Sequence, residues 1–138
     1  MKRARRLTPR EISAALAVAA REGAAWVFTT NYTTGHRTIA HLAPTDHTYH
    51  VSGFSSGTFA SAAGISTEVA LAHLVRLSAE GRVTEEPRFR GTGPRHFRLP
   101  REQYDALARE VIAQLEAEGL PHDDEWRAAR AAAVEGRP

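Results

Sequence analysis

Apolar side chains recur at three- and four-residue intervals in several stretches of this chain and give way elsewhere to runs rich in Thr, Tyr and Val. In the first helical stretch Ile12, Ala15, Leu16 and Ala19 fall on one face. Its start is marked by Thr8-Pro9-Arg10-Glu11: Thr8 can cap, Pro9 suits the first helical position, and Glu11 completes a capping box. Leu7 and Ile12 stand where a hydrophobic staple places them. Gly23 is the expected stop, so the pattern predicts a helix over 8–23, preceded by a basic arm at 1–7.

Residues 24–54 change character. The stretch AWVFTTNYTTGHRTIAHLAPTDHTYHVSGF is broken by Gly35 and Pro44 and reads as strands: a hairpin of Ala25–Thr30 with Arg37–Leu42, then a strand near Tyr49–Val51. Thr38–Leu42 also fits a helical turn. A short helix over Thr58–Ala63, a turn at Gly64 and a longer helix over Thr67–Glu80 follow. RVTEEPRFRGTGPRHFRL then reads as two strands about Gly91-Thr92-Gly93-Pro94. The last long helix, about Pro100–Glu118, carries Tyr104, Leu107, Val111 and Leu115 at helical spacing, stops at Gly119 and Pro121, and precedes a short helix near Glu125–Val134.

The stretch FASAAGISTEVALAHLVRLSAEGRV, residues 59–83, sets the functional question. Two helices cross steeply through a tight turn only where the crossing residues are small and the turn accepts a positive backbone dihedral. Ala60 and Gly64 meet both demands. Phe59, Ile65, Ala70, Leu74 and Leu77 then face the core, Ser66 can cap the second helix, and Glu68 suits its first turn.

These residues (Phe59-Ala60, Gly64-Ile65-Ser66, Ala70, Leu74, Leu77, Gly81 and Val83), with GTGPRHFRLP after them, resemble the winged helix-turn-helix domains of bacterial regulators of the MarR, GntR and PadR kinds. The resemblance covers about residues 49–100. It implies an α+β fold: a winged helix-turn-helix (55–83, wing 84–99) with an N-terminal helix, a β-rich insertion at 24–54 and helices at 100–138. The insertion has no counterpart in that pattern.

At about 100° per residue, Glu68, Ala72, Val75 and Ala79 lie opposite the core face of the second helix, with Thr67, Leu71 and Arg76 at the flanks. In a DNA complex the first residues of such a helix meet base edges in the major groove. Thr67, Glu68, Leu71 and Ala72 would do so here, Glu68 accepting from cytosine and Leu71 or Ala72 touching a thymine methyl. Ser66 and Arg76 would meet phosphates. Arg88, Arg90, Arg95 and His96 are the wing candidates, since strand alternation points Phe97 and Leu99 inward and leaves His96 and Arg98 outward.

Composition bounds the alternatives. The 138 residues carry a net charge of +2, unevenly placed: Lys2, Arg3, Arg5, Arg6 and Arg10 crowd the start, and Arg82, Arg88, Arg90, Arg95, Arg98 and Arg101 cluster around the wing. The absence of cysteine excludes disulfides, thiolate metal sites and cysteine nucleophiles, and fits a reducing, cytoplasmic setting. No apolar run reaches the ~18 residues of a membrane span.

Gly53-Phe54-Ser55-Ser56-Gly57 fits the G-x-S-x-G nucleophile pattern, but the later chain is committed to helices and wing, leaving no parallel sheet behind it. It reads as a loop and helix cap. His41, His47 and His50 with Asp46 form a weak metal candidate, because on a strand His47 and His50 face opposite sides. His73 reads as a packing residue. The expectation is a non-enzymatic protein without metal or cofactor that binds double-stranded DNA as a homodimeric transcriptional regulator, pairing through Tyr104, Leu107, Val111 and Leu115 of the C-terminal helix. The alternatives are a plasmid or phage replication, partition or transfer protein, and a winged-helix protein–protein interaction module.

Overall fold

The computed structural model describes residues 6–30, 36–40, 44–88, 91 and 93–136. The fold is α+β. Its elements in chain order are α1 (Pro9–Phe28), β1 (Thr29–Thr30), β2 (Thr38–Ile39), α2 (Asp46–His50), β3 (Phe54–Ser55), α3 (Ser56–Ala63), α4 (Thr67–Ala79), β4 (Thr84–Glu85), β5 (His96–Arg98), α5 (Arg101–Ala117) and α6 (Asp123–Glu135). Among the described residues two antiparallel sheets form, β1 with β2 and a three-stranded one in the order β3-β5-β4.

Helix α1 starts as its sequence dictates. Thr8 Oγ1 accepts from Glu11 N and Glu11 Oε1 accepts from Thr8 N, both at 3.1 Å. The helix does not stop at Gly23. It runs on to Phe28 because Gly23 lies against the 52–53 backbone: a Cβ there would meet the carbonyl oxygens of Ser52 and Gly53 at 3.1 and 3.2 Å. The glycine permits a close crossing instead of a cap, and the strand expected from Ala25 shrinks to β1.

The extra turns let α1 serve two hydrophobic cores. Its first half, with Ile12, Ala15, Leu16, Ala19 and Ala20, packs on Phe54, Phe59, Ala60, Ala70, Leu74, Leu77, Val83 and Phe97. Its second half, with Ala24 and Phe28, packs on Ile39 and on Tyr104, Ala108, Val111 and Leu115 of α5. Leu107 is half-buried at the edge of both. The α5 stripe expected to pair two copies is therefore packed inside this chain, where the lengthened α1 covers it.

The segment between α1 and α3 is not β-rich among the described residues. Where a strand was expected at Tyr49–Val51, Thr45 caps the short helix α2, its Oγ1 accepting from Thr48 N at 3.2 Å and Thr48 Oγ1 accepting from Thr45 N at 2.6 Å. The Pro44-Thr45-Asp46 start was the available signal. The guanidinium groups of Arg98 and Arg101 lie 4.6 and 5.1 Å from the Tyr49 ring centroid, and Arg101 reaches Asp46 at 2.6 Å. This stack fastens α2 to the β5–α5 junction. Tyr104 donates a 3.5 Å bond to the Thr48 carbonyl, and burial pushes its phenol up to about 12. Helix α6 buries none of its residues; Ile39 N donating to Pro121 O at 2.9 Å and the parallel bridge from Ile39 to His122 hold its start against β2.

Candidate nucleic-acid interface

Helices α3 and α4 turn through 107°. Gly64 makes that turn at φ 68°, a left-handed conformation costly for a side-chain-bearing residue, while its N–H caps Ala60 O. Ser66 Oγ then accepts from Val69 N at 3.3 Å and starts α4. Because Ala70, Leu74 and Leu77 are buried, the opposite face of α4 projects: Thr67, Glu68, Ala72, Val75, Arg76 and Ala79 are all exposed. Leu71 is half-buried against the first core. Ser66 is exposed as well, though its hydroxyl is engaged as the cap.

Arg76 is tied to its own helix. Its Nη2 donates to His73 Nδ1 at 2.9 Å and its Nε lies 3.9 Å from Glu80. Accepting that bond fixes His73 as the Nε2–H tautomer. Partial burial first, and then the Arg76 charge, hold its imidazole below the usual histidine range.

The hairpin distributes its cations unequally. Arg88 is exposed; Arg90 lies outside the described residues, as do Lys2, Arg3 and Arg5 of the arm. Arg95 makes a bidentate pair with Glu85, Nε and Nη2 donating at 2.7 and 2.6 Å, which holds the Glu85 carboxyl below its ordinary range. Glu85 thus pairs the Arg95 charge locally. Arg98, expected outward, is buried under the insertion at 9% exposure, because Tyr49 roofs that side of β5. His96 is on the sheet face opposite Phe97, where it lines a hollow with Glu22, Trp26 and Glu86 and its Nδ1–H donates to Pro94 O at 3.1 Å. Strand alternation separates it from the core side on which α3 and α4 pack.

The structure therefore brings together Ser66, Thr67, Glu68, Ala72 and Arg76 on one exposed element. Among the wing candidates it leaves Arg88 outward, Arg95 neutralised and His96 on the far face. Arg82, outside the candidate set, is exposed at the α4–β4 turn and donates to Ser13 Oγ at 3.2 Å. Its position directly after Gly81 was the clue.

The other candidate chemistries take structural roles. Ser55 of the G-x-S-x-G stretch caps α3, accepting from Thr58 N at 3.2 Å, beside an antiparallel sheet. His47 and His50 sit on α2 and not on a strand, Asp46 is committed to Arg101, and His41 lies outside the described residues. Among the described residues no group of three metal-ligating side chains forms, and no single helix is long and apolar enough to cross a membrane. No protein-family model, curated protein or solved structure matches this chain.

Proposed function

We propose that this chain binds duplex DNA through a winged helix-turn-helix, as a homodimeric transcriptional regulator. The observation that carries the reading is the projecting face of α4: a capped helix set at 107° to α3, its outer residues exposed, with the β4–β5 hairpin after it in a sheet ordered β3-β5-β4. That order, with α1 packed on α3 and the helix pair between β3 and β4, is the arrangement expected of a winged helix. Thr67, Glu68 and Ala72 would address base edges, with Leu71 at their flank and Ser66 beside them; Arg76, Arg82 and Arg88 would address phosphates.

With the α5 stripe buried within the chain, the surface proposed for pairing two copies lies elsewhere. Helix α6 offers Trp126, Ala131 and Val134 along one side, with Val134 59% exposed.

Titration of a duplex from the chain's own gene neighbourhood at two salt concentrations tests the proposal. Affinity should fall as salt rises, and Arg88→Ala should weaken binding about equally on all sequences and make the salt slope shallower by roughly 0.9. Salt-independent binding, or a slope unchanged by Arg82→Ala and Arg88→Ala, would sink it.

One observation favours a protein partner in place of DNA: Ala72, Val75 and Ala79 form an apolar strip on α4, with Val75 43% exposed. Val75→Lys separates the two readings, strengthening attachment to a polyanion and weakening it to an apolar protein face.

A further inference from the structure

Behind the three-stranded sheet lies a hollow of about 530 Å³ between the second half of α1, the 51–53 loop, the start of α3 and the far face of β4–β5. That volume falls within the roughly 300–1,000 Å³ of small-molecule sites. Glu22, Trp26, Val51, Thr58, Glu86 and His96 contribute to its walls. We propose that this hollow binds an organic cation, a primary ammonium or guanidinium on an apolar body, with its charge against Glu86 and Glu22 and its body against Trp26 and Val51. The site stands apart from whatever α4 meets.

Charge decides the class of ligand. In a chain of net charge +2, the lining among the described residues holds two carboxylates and neither lysine nor arginine. Arg98, whose charge acts on Glu86, is buried with its guanidinium over the Tyr49 ring and does not line the hollow. A carboxylate or phosphate entering the hollow would meet two like charges, whereas an ammonium would meet opposite ones.

Two acceptors belong to the wall. Glu86 is half-buried, steadied by a hydrogen bond from the Gly53 backbone, and its Oε1 has no hydrogen-bond partner among the described residues. An unmade bond on a buried carboxylate oxygen is costly, and because Oε1 lies against Gly53 out of solvent, a ligand N–H would supply it only once the carboxylate turns toward the hollow. Because the Nδ1–H of His96 is spent on Pro94 O, its Nε2 is left as a second acceptor in the neutral ring. At the rim the indole of Trp26 is 66% exposed, an unusual placement for the largest apolar side chain and the ring type that best faces a cation.

Intrinsic fluorescence tests the site. The chain has two tryptophans, so Trp126→Phe leaves Trp26 as the reporter. Phenethylamine is titrated in parallel with phenylacetate and 2-phenylethanol, which keep the ring and change the charge, and calorimetry reads the same three titrations independently of quenching. The expected result is saturable binding of the amine at low-millimolar concentration or below, with the alcohol and the acid weaker by about tenfold or more. Glu86→Gln should cost the amine about tenfold, and Glu22→Gln, on an exposed position of α1, a smaller factor, with the fold of each checked by circular dichroism. Binding of the acid as tightly as the amine, no saturable binding of the amine by either method, or full affinity in both glutamine variants would overturn the proposal.

Discussion

Ser66 has one hydroxyl and two claims upon it. In the free protein it caps α4, and in the proposed complex it stands beside the phosphates. Ser66→Ala should lower stability by about 1 kcal/mol, the usual value of such a cap, read as a shifted denaturation midpoint. Ser66→Asp keeps the cap and adds a negative charge, so its stability should stay near wild type while DNA affinity falls. Equal affinity for the Asp and Ser proteins would remove this helix start from the interface. Glu86 allows a pH test. Burial raises its pKa above the ordinary 4.5, so in that window the folded protein holds a proton that the unfolded chain releases, and stability falls as pH rises. The stability of Glu86→Gln relative to wild type should therefore grow as pH climbs from the ordinary carboxylate value through the raised one, and level off above it. A gap that narrows with rising pH would contradict the burial of this carboxylate. At this scale the sequence was legible where chemistry is local. The Thr8 box, the Gly64 turn and the Ser66 cap each depend on neighbours within four residues. Arg98 and His96 were not legible, since the side of a strand that lies under a roof depends on residues some fifty positions away.

Among the elements, α5 carries the largest correction. Its stripe of Tyr104, Leu107, Val111 and Leu115 has the same spacing whether it meets a second copy or the chain's own α1, so periodicity alone does not separate a seam from a core. The separation lies in α1, which continues through Gly23 and brings Ala24 and Phe28 over the stripe. Leu115→Ala should consequently destabilise the protein by about 2–5 kcal/mol, as truncation of a buried leucine does. Its sedimentation mass should not change. A mass that halves while the fold persists would return the stripe to an interface. Helix α2 was missed because five residues held by one threonine box and a Tyr49–arginine stack offer no periodicity to read. The α3–α4 pair was legible apart from the start of α3, which lies at Ser56 instead of Thr58, and the end of α4, which lies at Ala79 instead of Glu80, as its small crossing residues, left-handed glycine and cap fall in consecutive order.

At the scale of the molecule, the two cores share one helix. The first core draws on α1, β3, α3, α4 and the sheet, all present by residue 98, whereas the second waits for Tyr104 to Leu115. A chain emerging from the ribosome therefore completes its projecting helix pair while Phe28 and Ile39, both fully interior at the end, still face water. Excision of the stretch that resembles a winged helix would leave the same surfaces bare. A fragment ending at Leu99 should bind a hydrophobic dye strongly and associate at concentrations where the whole chain does not. Its failure to do so would mean that the second core is dispensable. Synthesis of α5 is the step that seals the back of α1, so for the interval before it the growing chain carries an uncovered apolar surface of the kind that invites misassociation.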